Sequence, residues 1–275
     1  MGIARSIVNT IKAWGGPKQP QGHVISYPKS GRTWLRVLVG RAICRKFDIS
    51  DRRLLDTLEA TSIAGVLPTE FTHDGSGMRE GTTWLQMVVA KADYRDKKVC
   101  VLVRDPRDVM VSCYFQATKR INVYDGPISE FIRCDHLGAR RCAAFYRNWC
   151  ENRSVPREFL LVRYEEMKAD TRRVLRGVLE FIGVSGIDQS LLDDAVEYAS
   201  FENMKKMETS QQFQRQVLKP GDVNDQESFK VRRGKVGGYR DYLNDDDCGF
   251  LDQVLVEARC PLLEPYLPKA AQNAA

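Results

Sequence analysis

At 275 residues, with 43% apolar and 28% charged side chains, the chain has the composition of a soluble globular protein and the length to bury a substantial core. Its 42 basic and 36 acidic residues leave a net charge of +6, which favours an anionic ligand but lacks the dense basic stripe of a nucleic-acid binder. No apolar run is long enough to span a bilayer and no signal peptide is evident; the eight cysteines form no C-x-x-C pair, so they read as reduced, mostly buried thiols of a cytoplasmic protein, not a disulfide framework or metal site.

Residues 3–14 predict a short amphipathic helix, with Ile3, Ile7, Ile11 and Trp14 on one face. It either packs on the domain or touches a membrane surface. Residues 1–6 also fit the myristoylation pattern. A Pro/Gly connector completes this leader over residues 1–21. A single domain over 22–267 and a disordered tail over 268–275 follow.

The first strand, at 24–27, runs into Pro28-Lys29-Ser30-Gly31-Arg32-Thr33-Trp34. Pro28 stops the ladder, Gly31 permits a bend, and Trp34, Leu35, Leu38, Ala42 and Ile43 recur at helical spacing to about Phe47. A turn that opens a helix, with Lys29 and two hydroxyls beside it, suits a phosphate-like anion. The lysine precedes the glycine, so the Walker order is absent.

Residues 51–60 read as helical, 69–72 as a strand ending at His73-Asp74-Gly75, 76–82 as a Gly-rich loop, and 83–93 as a helix. The near-continuous apolar run 99–103 is a strand buried on both faces, ending at Arg104-Asp105-Pro106-Arg107-Asp108. A helix over about 109–119 follows, with Asp105 and Asp108 where caps and first-turn acids belong. Helical stretches over about 128–152 precede a third buried strand at 159–162 that ends at Arg163-Tyr164. Helices over about 170–182, 189–199 and 248–259 complete the pattern. Residues 203–240 are charged, carry few periodic apolar positions, and predict a functional or disordered loop. The alternation gives an α/β fold with a central parallel sheet flanked by helices and a P-loop-like nucleotide-binding architecture.

The motifs Tyr-Pro-Lys-Ser-Gly-x-Thr-Trp, Arg-Asp-Pro-Arg-Asp-Val-x-Val-Ser and Arg-Arg-Gly-Lys-x-Gly, in that order over about residues 22–240, resemble the PAPS-dependent sulfotransferase family. PAPS is 3′-phosphoadenosine 5′-phosphosulfate, and its spent form is 3′-phosphoadenosine 5′-phosphate (PAP). The likeness is closest to soluble sulfotransferases, including bacterial ones that modify small molecules and natural products. It implies that Lys29, Ser30, Gly31, Arg32, Thr33 and Trp34 hold the 5′-phosphosulfate, with Lys29 at the leaving phosphate. It also implies that Arg104 and Ser112 hold the 3′-phosphate, that Arg232, Arg233 and Gly234 close over it, and that Tyr164 and Phe201 stand on the adenine side.

Several of these residues carry a plainer reading as well. Trp34, Tyr164 and Phe201 could be ordinary core aromatics. Arg104 could pair with Asp105 or Asp108, Ser112 could bond back to a helix carbonyl, and Arg107 reads as solvated.

His73, one of three histidines, falls where the family's catalytic base stands. Phe71 occupies the place where many relatives have a lysine; Lys29 or Ser112 could supply that charge. Ala199 stands where many relatives have an adenine-contacting threonine, and the family's late dimer signature is not visible after Gly238. The implied reaction moves a sulfuryl group from PAPS to a hydroxyl, or an amine, of a small-molecule, lipid or glycan acceptor, without a metal. Tyr114, Phe115 and residues 120–135 are candidate acceptor walls, together with the loop over 205–230. The alternatives are a P-loop NTPase or kinase, and an anion-binding nucleic-acid or membrane-surface module.

Overall fold

The computed structural model describes residues 19–87, 90–210 and 218–269. The leader helix with its acylation pattern, and most of the tail, lie outside them. Four parallel strands form one sheet: β1 (Gly22–Ser26), β2 (Thr69–Thr72), β3 (Lys98–Val103) and β4 (Glu158–Arg163), in the order β2-β1-β3-β4. Helices cover both faces, as the alternation of strand and helix patterns requires.

Side-chain alternation along the strands sorts the core into two layers. Val24, Cys100, Leu102 and Val162 point to one face. They meet α1 (Arg32–Lys46), α2 (Thr57–Ile63), α7 (Thr171–Phe181) and α8 (Gln189–Tyr198). Ile25, Val99, Val101 and Val103 point to the other face. There they meet α3 (Pro106–Lys119), α4 (Ile128–Arg133), α5 (Ala139–Glu151) and α10 (Asp245–Ala258). β3 is the central buried strand that its apolar run predicts. β4 is only half-buried, because it forms a sheet edge.

Several boundaries differ from the sequence expectation. The 51–60 stretch is a single turn at Asp51–Arg53 and then α2, because the Asp56 backbone leaves helical geometry. The helix expected over 83–93 is absent. Trp84–Gln86 makes one turn inside a Thr83/Gln86 capping box, and Leu85 is 74% exposed, so the apolar positions share no buried face. The 128–152 stretch breaks into α4 and α5. Gly138 sits so close to the Cys134 carbonyl that a Cβ there would stand 2.5 Å from its oxygen. Two further short helices emerge: α6 (Tyr164–Ala169) directly after β4, and α9 (Phe201–Thr209) in the segment expected to be loop. The eight cysteines are all free thiols.

Gly40 fixes how α1 seats on the chain behind it. A Cβ at this position would lie 2.0 Å from the Leu54 carbonyl oxygen. Gly40→Ala is expected to lower unfolding stability by about 1–3 kcal/mol, the usual penalty of overpacking. A denaturant titration checks this; an unchanged midpoint would mean that the turn at 51–54 yields freely.

Candidate active site

Parallel register brings every strand's carboxyl end to one edge of the sheet, where open α/β sheets bind ligands. There a cavity of about 610 Å³ opens between the loop after β1, the residue after β2, the turns after β3 and β4, and the chain from 230 to 242. Lys29, Gly31, Arg32, Thr33, Trp34, His73, Arg104, Ser112, Tyr164, Phe201, Arg232, Arg233 and Gly234 all line it. Ser30 does not. It is fully buried, and its hydroxyl lies 2.8 Å from that of Tyr146 on α5, so it anchors the loop from behind.

The loop is bent hard. Lys29 has φ 67° and Gly31 has φ 100°, both in the left-handed region. A Cβ at position 31 would also strike the Tyr164 ring at 2.6 Å, so glycine is needed twice over. Gly31 caps α1 without a side-chain cap, and no acid stands in the helix's first turn. The first N–H groups of this 15-residue helix therefore face the cavity with a favourable dipole for an anion. Lys29 Nζ reaches Gln116 Oε1 at 3.3 Å. Burial, followed by repulsion from Arg120, brings its pKa down to about 7. Arg32 is brought down to about 9 by burial and by Arg36.

Arg104 leaves β3 and is held on several sides. It lies 4.3 Å over the Tyr164 ring and donates to the carbonyls of Lys29 at 3.4 Å and Lys235 at 3.1 Å. It lies 3.4 Å from Asp108, which is the ion pair the plainer reading expects. The Asp108 carboxylate, however, also accepts from the N–H of Gly237 at 2.9 Å and of Tyr239 at 3.0 Å, and so ties the Arg-Arg-Gly segment to the first turn of α3. Arg104 Nε is buried and has no partner among the described residues. Ser112, two turns along α3, lines the same cavity, and no backward bond to a helix carbonyl holds its hydroxyl. Arg107 is not solvated as expected. It pairs with Asp105 and Asp252 at 2.9 Å each and donates to the Tyr266 carbonyl.

The third segment is docked by its own contacts. Arg232 donates to Glu227 and to the Tyr242 hydroxyl, both at 2.6 Å, and lies 4.3 Å over Phe115. Arg233 is more exposed and pairs with Asp241 at 2.9 Å. Gly234, with φ 60°, packs on Phe201, the first residue of α9; a Cβ there would lie 3.3 Å from its ring. Trp34 combines both readings. Its Nε1 donates to the Ala199 carbonyl at 3.0 Å, and its ring borders the cavity with the Lys168 ammonium 5.6 Å away.

His73 is placed by strand register. Ile25 pairs with Thr72, so Ser26 lies beside His73, whose Nδ1 donates to the Ser26 carbonyl at 2.9 Å. A carbonyl only accepts, so the proton is on Nδ1 and the Nε2 lone pair is free. Burial, with Arg32 next, draws its pKa down to about 3, so the ring is neutral across the physiological range. The turn behind it is fixed by Asp74, which takes bonds from Tyr94 at 2.8 Å and Trp149 at 2.9 Å and an ion pair from Lys91 at 2.8 Å. Arg141, wholly buried on α5, donates to the carbonyls of Ser76 and Thr82 at 2.9 Å and so holds the Gly-rich loop. The other histidines are elsewhere: His23 pairs with Glu70 at 3.0 Å, and His136 is exposed.

Two expectations about the far wall fail. Tyr114 and Phe115 turn into an aromatic cluster with Phe131, Tyr124 and Tyr242, and neither lines the cavity. Met78, Arg79, Glu80, Ile121 and Tyr242 form that wall instead. Lys230 is the site residue the sequence reading missed. It lines the cavity within a segment that shows no periodicity, and only its place two residues before Arg232 marks it. Among the described residues no group of His, Cys, Asp and Glu is placed to hold a metal ion.

Comparison with known proteins agrees with this geometry. A family model described as "Sulfotransferase domain" matches residues 19–259. The chain is similar to flavonol 3-sulfotransferase of Flaveria bidentis, at 24% identity over 84% of this chain and 79% of that protein. It is also similar to cytosolic sulfotransferase 13 of Arabidopsis thaliana, at 27% identity over 79% of this chain and 70% of that one. Among solved structures, mouse sulfotransferase SULT7A1 complexed with PAP aligns with a TM-score of 0.64 at 18% identity, covering 99% of this chain and 95% of that one. Retinol dehydratase in complex with androsterone and PAP aligns at 0.59 and 19% identity, covering 88% and 82%. At these identities the structures establish a shared fold.

Proposed function

Because the chain belongs to the sulfotransferase family, we propose that this cavity moves the sulfuryl group of PAPS onto a hydroxyl, or less readily an amine, of a small-molecule, lipid or glycan acceptor. One observation carries the assignment of parts: a single cavity gathers all three motif segments and His73. Residues 22–267 form the domain that does this work.

The residues fit the donor. Uncapped helix N–H groups, Lys29, Arg32 and Thr33 suit the phosphosulfate. The unpartnered Nε of Arg104, the Ser112 hydroxyl and the Arg232 fork suit the 3′-phosphate, and Trp34, Tyr164 and Phe201 offer rings to the adenine. When bound, PAPS supplies the sulfuryl group and a phosphate leaving group. His73 takes the acceptor proton at Nε2, and Lys29 neutralises charge growing on the leaving phosphate. The loop and the two arginine segments hold the reactants in line, which is most of what such a transfer needs. A cytoplasmic location suits the free thiols and the cytosolic relatives; no described helix is long and apolar enough to cross a membrane.

Thermal stabilisation tests the donor assignment. PAP is expected to raise the melting temperature more than AMP does, and more than ATP with magnesium. Arg104→Ala is expected to weaken PAP by about 10–100-fold, the worth of a charged hydrogen bond, while changing AMP little. Equal shifts with PAP and AMP would remove the 3′-phosphate assignment, and a preference for ATP with magnesium would favour a kinase.

A further inference from the structure

The reactive corner of the cavity holds more positive charge than the donor explains. Lys29, Arg32, Arg36, Arg120 and Lys230 all act on one another there. Lys29 and Arg32 belong to the anion loop, and a phosphosulfate brings one charge on its phosphate and one on its sulfate to meet them. Lys230 lines the cavity from the opposite segment, with Arg36 and Arg120 close behind it. Among the described residues no carboxylate forms an ion pair with Lys29, Arg32, Arg120 or Lys230. The nearest acid, Glu208 on α9, is wholly buried and committed to the backbone: it accepts from the N–H groups of Lys230 at 2.6 Å and Val231 at 2.9 Å. It aims the lysine without pairing with it. Arg36 donates to the Phe71 carbonyl at 2.8 Å, and Arg120 to Gln116 at 2.6 Å; these neutral acceptors leave the charges uncancelled.

Buried like charges of this kind are costly. The pKa of Lys230 is accordingly held far below its ordinary value by burial and by Lys29, Arg120, Arg32 and Arg36. A ligand that brings its own negative charge relieves that cost, and an acceptor hydroxyl must come close to His73, which this cluster also surrounds.

Resting on the sulfotransferase reading, we propose that Lys230, backed by Arg36 and Arg120, seats an acid group of the acceptor itself. The preferred acceptors are then hydroxyl compounds that already carry a carboxylate, phosphate or sulfate. The competing assignment gives Lys230 to the donor's sulfuryl group, in place of the lysine that Phe71 replaces.

Matched phenols separate the two. Para-hydroxyphenylacetate and its neutral amide are titrated into the PAP-saturated protein, and both are assayed with PAPS. The acid is expected to bind at least about tenfold tighter than the amide, as one charged hydrogen bond allows. Lys230→Gln is expected to erase that preference while leaving PAP affinity within about twofold, and Lys230→Arg to restore most of it. Equal binding of acid and amide, or binding of neither, overturns the proposal. So does a Lys230→Gln protein whose PAP affinity, or whose rate with the neutral amide, collapses, for the lysine then serves the donor. A wild-type protein that ignores PAP altogether overturns the sulfotransferase reading first, and this inference with it.

Discussion

His73→Ala is expected to cut kcat by about 10²–10⁴-fold, the usual worth of a positioned general base, while PAP still stabilises the protein. The structure gives three reasons. The Nδ1–H bond to the Ser26 carbonyl fixes the tautomer and leaves Nε2 bare. Burial and Arg32 keep the ring neutral at any ordinary assay pH, so no proton has to leave before it can act. Asp74, locked by Tyr94, Trp149 and Lys91, stops the turn from moving. Free imidazole should restore part of the activity of the variant. Retained turnover in His73→Ala would move the base elsewhere, and loss of PAP stabilisation would show that the residue is structural.

Lys29→Met is expected to lower kcat by about 10²–10³-fold, equivalent to about 2.7–4 kcal/mol of transition-state stabilisation. A pH signature accompanies it. In the empty cavity Lys29 sits at about 7, so above that pH it is largely uncharged. An anion at its Nζ favours the charged form and raises the pKa again, so PAP binding at pH 8 takes up a proton. The sign is fixed: affinity falls as pH rises above about 7, by at most about tenfold per unit. Calorimetry in buffers of different ionisation heat reads this uptake, and the methionine variant should show less of it. The same proton uptake in both proteins would remove Lys29 from the leaving phosphate.

The sheet and the donor side of the site were legible in the sequence for physical reasons. β3 is a continuous apolar run because both its faces are covered, and Pro28 and Gly31 mark a bend that few other residues tolerate. Arg104 and Tyr164 could be placed because each directly follows a strand. The acceptor side was not legible. Tyr114 and Phe115 have the composition of a pocket wall, yet they pack against other rings, a choice made by tertiary contacts alone. The supports of that wall, Arg141 and Glu208, act through backbone carbonyls and N–H groups far away in sequence. Such contacts leave no periodic trace. Ser30 misled for a related reason: a hydroxyl in an anion loop may face either way, and here Tyr146 claims it.

The shared edge of the parallel strands has an evolutionary consequence. The groups assigned to the donor hang from strand ends and first helical turns, so a change there disturbs the core as well as the chemistry. Met78, Arg79, Glu80, Ile121, Lys230 and Tyr242 stand on connections outside the sheet. Drift in those connections can exchange one acceptor for another while the donor machinery stays intact. Lineages with this architecture are therefore free to diversify in what they modify long before they lose the ability to modify anything.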